Sequence, residues 1–449
     1  MTRTMEATEF YRSRFAQFES AVAGTEPAGV RRIRRAAIAR FAELGFPTTD
    51  NEEWRHTDVT PIATIPFRDA DYSPVAPAAE KLARVTFDAA GYSQLVFLNG
   101  RFSPDLSALR PLPVGVTAGS LAAALGTDPS GVEPYLARYA RYEDRAFVAL
   151  NTAFLKDGAF VYVPSNTVVD EPLHLLYAST AEGEATVSHP RNLIVMGPGS
   201  RASIVESYVG LDDGLYFTNA VTELVLGENA VLEHCTLQRE STEAFHVATL
   251  AVHQEGGSRF SSHSIALGGA IARNEITAAL EGEGIECTLN GLYAETGRQH
   301  VDTRTRIDHA KPRCASRQFY KGILGGRATG VFNGKILVRQ DAQKTDARQT
   351  TKNLLLSEDA VIHTKPQLEI FADDVKCMHG ATVGSLDEEA IFYLRSRGIG
   401  KEAARRLMTH VFAGEIINQI GIIPIRTQLA ALLSAWVSQD ERAWETFRT

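Results

Sequence analysis

The sequence predicts a mainly β protein whose centre is a parallel β-solenoid flanked by helical regions. Turn-like markers recur at intervals of 26 to 43 residues, the range in which internal periodicity indicates stacked repeats. The runs between them, such as AVTELVL and GKILVR, are short and lack the ten or more residues of helical period that a crossover helix needs. Each coil would bury its inward side chains against the next, with the turns aligned along one edge. The markers are Gly199, Gly227, Gly256, Gly282, Gly325 and Ser357.

Three regions follow: residues 1–155 helical or mixed, 156–384 the β-solenoid core, and 385–449 helical. Residues 6–45 carry two apolar stripes of helical spacing and end at Gly45, which predicts a helical hairpin. A connector around Trp54 comes next. Only Pro312 and Pro366 fall between Gly199 and Ile423, which suits continuous strands there.

The last region is predicted to contain three helices. Ser385 to Glu388 has the S-x-x-E form of a capping box, and the helix it opens would end at Gly398. A second helix over 401–420 has the apolar stripe Leu407, Val411 and Phe412, partly used in internal packing. Pro424 would separate it from a third helix that extends to about residue 447.

Charge and composition restrict the class of protein. Among 449 residues the net charge is −8, which disfavours nonspecific nucleic-acid binding, and we interpret the basic cluster at 31–40 as a solvated helix face. No apolar run approaches the roughly 18 to 20 residues of a membrane span, and the amino terminus has no secretory pattern. The four scattered cysteines indicate neither a disulfide framework nor a four-cysteine zinc site. We therefore expect a cytoplasmic protein with reduced thiols.

The candidate functional stretch is 365–399. Val375, Cys377 and His379 share one parity of a predicted strand, so the thiol and the imidazole face the same way. Together they could bind a soft or borderline metal, or act as nucleophile and base. Two ligands do not close a metal site, and Cys377 equally suits a buried core thiol beside an exposed His379.

Other motifs are weaker. The stretch from His300 to Cys314 holds scattered His, Asp and Cys without a recognised ligand spacing, in an extra half-coil or a loop. The run around Lys401 fails as a phosphate-binding loop, because Arg395 and Glu402 occupy positions that need Gly and Ser or Thr. The lack of a complete catalytic motif favours a scaffold over an enzyme.

Several segments carry a family resemblance. They are NEEWR (Asn51 to Arg55), KTDARQ (Lys344 to Gln349), KPQLEI (Lys365 to Ile370), DDVKCMHGATVG (Asp373 to Gly384) and FYLRSRGI (Phe392 to Ile399). The chain resembles the SufB/SufD family of iron-sulfur cluster assembly proteins, most strongly from Gly325 to Ile420. It is more similar to SufD than to SufB, because it lacks the amino-terminal cysteine cluster of SufB; its first cysteine is Cys235.

The resemblance implies a right-handed parallel β-helix and a non-catalytic scaffold that works with SufB and the ABC-type ATPase SufC. It implies a transient iron-sulfur cluster, no permanently bound cofactor, a possible reduced flavin in the complex, and a possible homodimer of the isolated chain. His379 becomes a cluster-site candidate ahead of Cys377. The SufC contact would lie on the carboxy-terminal helices, at Tyr393, Arg395, Arg397 and Gly398.

Two rival functions remain. A β-helix polysaccharide lyase or hydrolase would use carboxylates such as Asp373 and Asp374, although adjacent strand residues face opposite sides. A homomeric structural solenoid would need no site at all.

Overall fold

The chain, in a computed structural model, winds between two long β-sheets that face each other. The structure describes residues 2–22, 26–70, 75–85, 92–181 and 184–438. Sheet A consists of β1 Arg68–Asp69, β4 Thr117–Ser120, β5 Ala159–Val163, β7 Thr186–Ser188, β8 Arg191–Met196, β10 Tyr216–Leu226, β12 Phe245–Gln254, β14 Ile271–Leu280, β16 His300–His309, β18 Thr329–Val338 and β20 Val361–Ile370. Sheet B consists of β2 Ser93–Leu98, β3 Arg101–Phe102, β6 Leu173–Ser179, β9 Arg201–Gly210, β11 Val231–Arg239, β13 Arg259–Ala266, β15 Glu286–Glu295, β17 Ala315–Leu324, β19 Asp346–Leu355 and β21 Lys376–Gly384.

From β8 onward successive strands alternate between the sheets, and each strand pairs in parallel with the strand two places further on. The paired residues are one coil apart: Phe245 pairs with Ile271, 26 positions later, and Thr329 with Val361, 32 positions later. This confirms the β-solenoid. It also explains the proline-poor sequence, because interior strands need their amides for both neighbours.

The turn markers do not lie along one edge, so that expectation is wrong. Gly199, Gly227, Gly256 and Gly282 follow strands of sheet A, whereas Gly325 and Ser357 follow strands of sheet B. The 43-residue interval therefore spans one and a half coils. Within it, the stretch from His300 to Cys314 is β16 and the corner after it.

The lumen between the sheets is the main core. Inward side chains such as Leu224, Leu226, Ile276 and Leu289 are buried there. Aromatic rings stack from strand to strand, with Tyr177 4.8 Å from Tyr208 between ring centroids. Burial of this apolar surface coil against coil stabilises the stack.

Most of the amino-terminal region covers one side of sheet A, whereas its helix at Val75–Val85 packs on sheet B beside Val96 and Leu176. Its helices are α1 Thr2–Ala21, α2 Ala28–Leu44, α3 Thr60–Thr64, α4 Val75–Val85, α5 Leu121–Thr127, α6 Pro129–Val132 and α7 Ala146–Ala153, with 3₁₀ turns Glu52–Trp54 and Pro104–Leu106. Helices α1 and α2 correspond to the expected hairpin. The basic cluster on α2 is not wholly a solvated face, because Arg34 is buried, pairs with Glu26 and donates to the Leu155 carbonyl.

The carboxy-terminal helices are α8 Glu388–Ser396, α9 Lys401–Ile417 and α10 Ile423–Ser438. The residues expected in a helix beyond Ser438 lie outside the described part of the chain. The cap of α8 is Asp387, whose Oδ1 accepts from the amides of Glu389 and Ala390, and not the expected Ser385. The helix ends at Gly398, which has φ +90°, with hydrogen bonds from Gly398 N to Arg395 O and from Ile399 N to Leu394 O.

Helices α9 and α10 lie on the outer face of sheet B. Their residues Ala413, Ile416, Leu429 and Leu432 are buried against strand side chains that include Leu237. Lys321, whose side chain is 1% exposed, donates from β17 to the Phe412 carbonyl and pairs with Glu415 of α9. Phe412 is partly buried in this contact, while Leu407 and Val411 are exposed.

No helix in the described ranges has both the length and the apolarity that crossing a membrane requires.

Two glycines let aromatic rings lie in the lumen. A Cβ added at Gly291 would stand 2.1 Å from Tyr320 of the next strand, and one at Gly322 would stand 2.2 Å from Tyr293. Gly291→Ala should therefore lower the free energy of unfolding by about 1–3 kcal/mol through overpacking. The measurement is urea denaturation followed by far-ultraviolet circular dichroism.

Gly119→Ala is the matched control, because nothing lies within 4 Å of a Cβ added there. It should change stability by no more than about 0.5 kcal/mol. Equal urea midpoints for the two variants would contradict the packing argument.

Candidate functional site

The solenoid ends in two strands that have a neighbour on one side only. Strand β20 pairs with β18 and strand β21 with β19, and no described strand continues either sheet. Most of β21 is exposed, and five large apolar side chains at this end are also exposed. They are Val361, Ile370, Phe371, Met378 and Val383. This open end combines unpaired backbone groups with apolar surface, which are the features of a strand-pairing interface.

The register of β21 fixes the direction of its side chains. Cys377 is paired with Ala347 and His379 with Gln349, and both of these β19 residues are buried. Cys377 packs in the cluster that contains Ala347 and Ile336. The structure thus places Cys377 and His379 on the lumen face of the last coil.

The two side chains differ in access. Cys377 is partly buried, and burial raises the pKa of its thiol, with the Ala347 backbone opposing the rise through a hydrogen bond. His379 is exposed, and no described residue forms a hydrogen bond or ion pair with it. The imidazole is therefore the more available of the two as a ligand.

The remaining cysteines are poor ligands in this fold. Cys235, Cys287 and Cys314 are all buried. Burial raises the pKa of Cys235 and of Cys287 to about 12, so both are thiols at neutral pH. In the described ranges, no three His, Cys, Asp or Glu residues are grouped so that they could hold a metal ion. If the site at Cys377 and His379 binds iron, further ligands must come from beyond the described residues.

The residues between His300 and Cys314 do not all converge on one site, although His300 and Asp302 both contact the Thr57 hydroxyl. Asp302 lies on the outer face of β16, where it accepts a hydrogen bond of 2.6 Å from Thr57 and pairs with Arg273. His309 lies in the lumen, 2.9 Å from the Ser316 hydroxyl. These contacts account for the two residues as structural groups.

Sequence reasoning missed Arg273, the residue that anchors the NEEWR segment. Arg273 is fully buried, lies 3.5 Å from the centre of the Trp54 ring, and donates to the Glu53 carbonyl. Burial alone would lower its pKa, but Asp302 and Glu275 raise it, so the guanidinium stays charged. No local pattern around Arg273 signalled this role, because Glu53 and Trp54 are about 220 positions away in sequence.

A buried polar chain inside the lumen has the residue types of a hydrolase triad. The hydroxyl of Ser262 is 3.2 Å from His234 Nδ1, and His234 Nε2 is 3.1 Å from Glu206. Burial would raise the pKa of Glu206, but its hydrogen bonds from His234 and Tyr208 outweigh that effect and lower it. The adjoining cavity of about 30 Å³ has room for about one water and for no substrate.

The carboxylates invoked for a lyase are placed in a corner. Asp374 forms an ion pair with Lys344, and its backbone N–H donates to Gln343 Oε1. These contacts fix Asp374 in the turn between β20 and β21.

The expected ATPase contact residues lie on one exposed part of the surface. Tyr393 and Arg395 of α8 are exposed, and the Arg397 guanidinium lies 5.1 Å from the centre of the Tyr393 ring. Gly398 ends the helix beside them. Phe392 is 70% exposed, so α8 presents two aromatic rings to solvent.

Comparisons with known proteins agree with this architecture. The family model for the SufBD core domain of SUF system FeS cluster assembly matches residues 177–412, and that for the SufBD protein N-terminal region matches residues 5–175. A SufBD family iron-sulfur cluster assembly protein of Synechocystis is 35% identical over 443 residues, covering 97% of each chain. The iron-sulfur cluster assembly protein SufD of Escherichia coli is 32% identical over 411 residues, covering 90% of this chain and 93% of the relative. SufD of Bacillus subtilis is 26% identical over 419 residues, covering 91% and 94%. The chain belongs to the SufBD family of iron-sulfur cluster assembly proteins.

Proposed function

We propose that this chain is a non-catalytic scaffold subunit that assembles iron-sulfur clusters together with a SufB-type paralogue and a SufC-type ATPase. The observation that carries the proposal is the open end of the solenoid, where free strand edges surround an exposed His379 on the lumen face. A paralogue with the same fold could continue both sheets at this end. The cluster, which is cargo and not a resident cofactor, would then form between the two subunits.

The ligand argument favours His379 over Cys377. Neutral imidazole is a good ligand for iron, whereas a thiol must first lose its proton. Burial raises the pKa of Cys377, which makes that loss harder near neutral pH. His379 would supply one ligand, and the paralogue would supply the others.

The carboxy-terminal helices would receive the ATPase. Phe392, Tyr393, Leu407 and Val411 are large, exposed and carried on the packed helices α8 and α9, and Arg395 lies beside them. An apolar surface with aromatic and arginine side chains has the composition of protein interface centres. ATP hydrolysis would belong to the partner.

Three further parts of the proposal concern the oligomeric state of the isolated chain, a flavin in the complex, and the cellular compartment. The free strand edges would pair two copies of this chain when the paralogue is absent. A reduced flavin would be bound by the assembled complex. The four free cysteines suit a reducing compartment, and we place the protein in the cytoplasm.

The ligand role is tested by His379→Ala. Cluster content of the purified three-component complex should fall to near zero, because one of the iron ligands is removed, while subunit stoichiometry stays unchanged. Cys377→Ala is the matched control on the same strand and should have a much smaller effect. Wild-type cluster content in the His379 variant would refute the assignment, and altered stoichiometry would show that His379 is structural.

The raised pKa of Cys377 can be tested on the isolated chain by measuring the reactivity of its thiol at several pH values. Because the Cys377 pKa is raised, its thiolate and hence its reaction with a disulfide reagent should still increase from about pH 8 to about pH 10. Cys377→Ser should lose this reaction in the native state. A rate that is already maximal at pH 8 would mean that the thiol is activated.

The helix surface is best tested by point substitutions. Deleting residues 385–449 would uncover the side chains that α9 and α10 bury on sheet B, so loss of binding could reflect unfolding. Tyr393→Ala with Arg395→Ala should weaken ATPase binding about tenfold or more, measured by titration calorimetry. Thr427→Ala, an exposed change on α10, should leave the affinity unchanged. Equal affinities would place the interface elsewhere.

A further inference from the structure

One buried amide near the open end has unused hydrogen-bonding capacity. Gln349 of β19 is 1% exposed, and neither its Oε1 nor its Nε2 has a hydrogen-bond partner in the described structure. A buried amide of this kind destabilises the fold, since it has lost its hydrogen bonds to water without replacing them. Such a group is expected to serve a purpose that the isolated chain does not show.

Two observations define the position of Gln349, one across the lumen and one along sheet B. Across the lumen, a Cβ added at Gly334 would lie 2.4 Å from Gln349 Nε2, so the glycine leaves space for the amide. Along sheet B, Gln349 is in register with Gln318 on one side and with His379 on the other. Gln318 differs, because its Oε1 accepts a hydrogen bond of 2.6 Å from Thr305.

Gln349 and His379 are side-by-side neighbours on one face. Adjacent strands in a sheet are about 4.8 Å apart, and side chains in register on the same face lie next to each other. A glutamine side chain is long enough to reach a neighbouring imidazole, and its terminal torsion is soft. Both groups lack another partner among the described residues.

The chemistry of a histidine ligand requires such a neighbour. An imidazole that binds a metal through one nitrogen usually donates its other N–H to an acceptor, which fixes the tautomer and the ring orientation. An amide oxygen is a suitable neutral acceptor. We propose that Gln349 is the positioning residue for His379, and that its Oε1 accepts the N–H of the ring nitrogen that faces away from the iron.

This inference rests on the proposed ligand role of His379 and adds the group that holds the ligand in place. Gln349 would not touch the cluster. It would keep the neutral imidazole turned with one nitrogen toward the paralogue. In the described part of the isolated chain the buried amide has no partner and destabilises the fold, and in the complex the same amide is available as the acceptor for His379.

Gln349→Met tests the inference, because methionine keeps the length of the side chain and removes its oxygen. Cluster content or iron retention in the three-component complex should fall about tenfold, the usual range for such a neighbour of a ligand. The isolated chain should unfold at the same or a higher urea concentration, since a buried unpartnered amide is gone. Gln349→Glu, which keeps an acceptor, should restore much of the cluster content.

A second readout does not depend on the cluster. In the apo complex, with ¹³C and ¹⁵N histidine only in this chain, the His379 signal is identified by its loss in His379→Gln. At pH 8 the wild-type ring should favour one tautomer, and Gln349→Met should shift it toward the mixture of a free imidazole. Gln318→Met, one strand further from the open end, should change neither the tautomer nor the cluster content.

The outcomes separate the two proposals. Suppose that His379→Ala loses the cluster, while Gln349→Met keeps wild-type cluster content and an unchanged tautomer. That result would overturn the role of Gln349 and leave the proposed function intact. Wild-type cluster in His379→Ala would overturn the proposed function itself. An earlier unfolding midpoint for Gln349→Met would show that the amide has a structural role and would also overturn the inference.

Discussion

The parallel hydrogen-bond ladder between successive coils is the constraint on which the rest of the structure depends. Each strand from β10 to β19 has a neighbour on both sides, so its backbone groups pair with, and its inward side chains pack against, the coils before and after it. The last coil has only one such neighbour. An open end is therefore a direct consequence of the architecture, because the ladder must stop somewhere and its last strands keep unpaired backbone groups that another strand could pair with.

The flanking regions are attached to the ladder by buried charges as well as by apolar contacts. Arg191 and Glu223 are both fully buried and form an ion pair of 2.6 Å, and Glu223 also accepts amide hydrogens from residues 137–140. Arg273 has a similar role beneath Trp54, and Lys321 holds α9. A buried charge is costly unless it is fully paired, so each of these contacts fixes one arrangement of a flanking segment on the solenoid. The open end and the helices α8 and α9 thus keep a defined relation to one another.

The interior of the solenoid contains polar groups as well as apolar ones. Glu206, His234 and Gln349 lie in the lumen among apolar rows, and the first two are satisfied by neighbours whereas the third is not. In a family whose members assemble iron-sulfur clusters, polar groups near the open end can hold or orient ligands, while those deeper in the stack fix register. These two kinds of polar group differ in whether all of their side-chain hydrogen bonds are made within this chain.

Local patterns in the sequence determined the solenoid, the amino-terminal hairpin and the shared face of Cys377 and His379. The hairpin and the shared face depend on helical spacing or alternation over a few residues, and the solenoid depends on turn markers that recur at intervals of 26 to 43 residues. The family resemblance of the segment from Lys376 to Gly384 indicated the same strand, β21, as the functional stretch. The helix end at Gly398 was also predictable from the sequence, because helices often end at a residue with positive φ, a conformation that favours glycine.

Only the tertiary structure decided which edge each turn lies on, that Arg34 is buried, that Asp387 and not Ser385 caps α8, and that Gln349 lies beside His379. The turns were misplaced because the markers change edge after one and a half coils, and a spacing alone does not count strands. Ser385 lost its capping role because β21 continues to Gly384 and the helix begins only at Glu388. The pairs Trp54 with Arg273 and Gln349 with His379 join residues about 220 and 30 positions apart. Such contacts are set by the register of whole coils, and no short stretch of sequence contains that information.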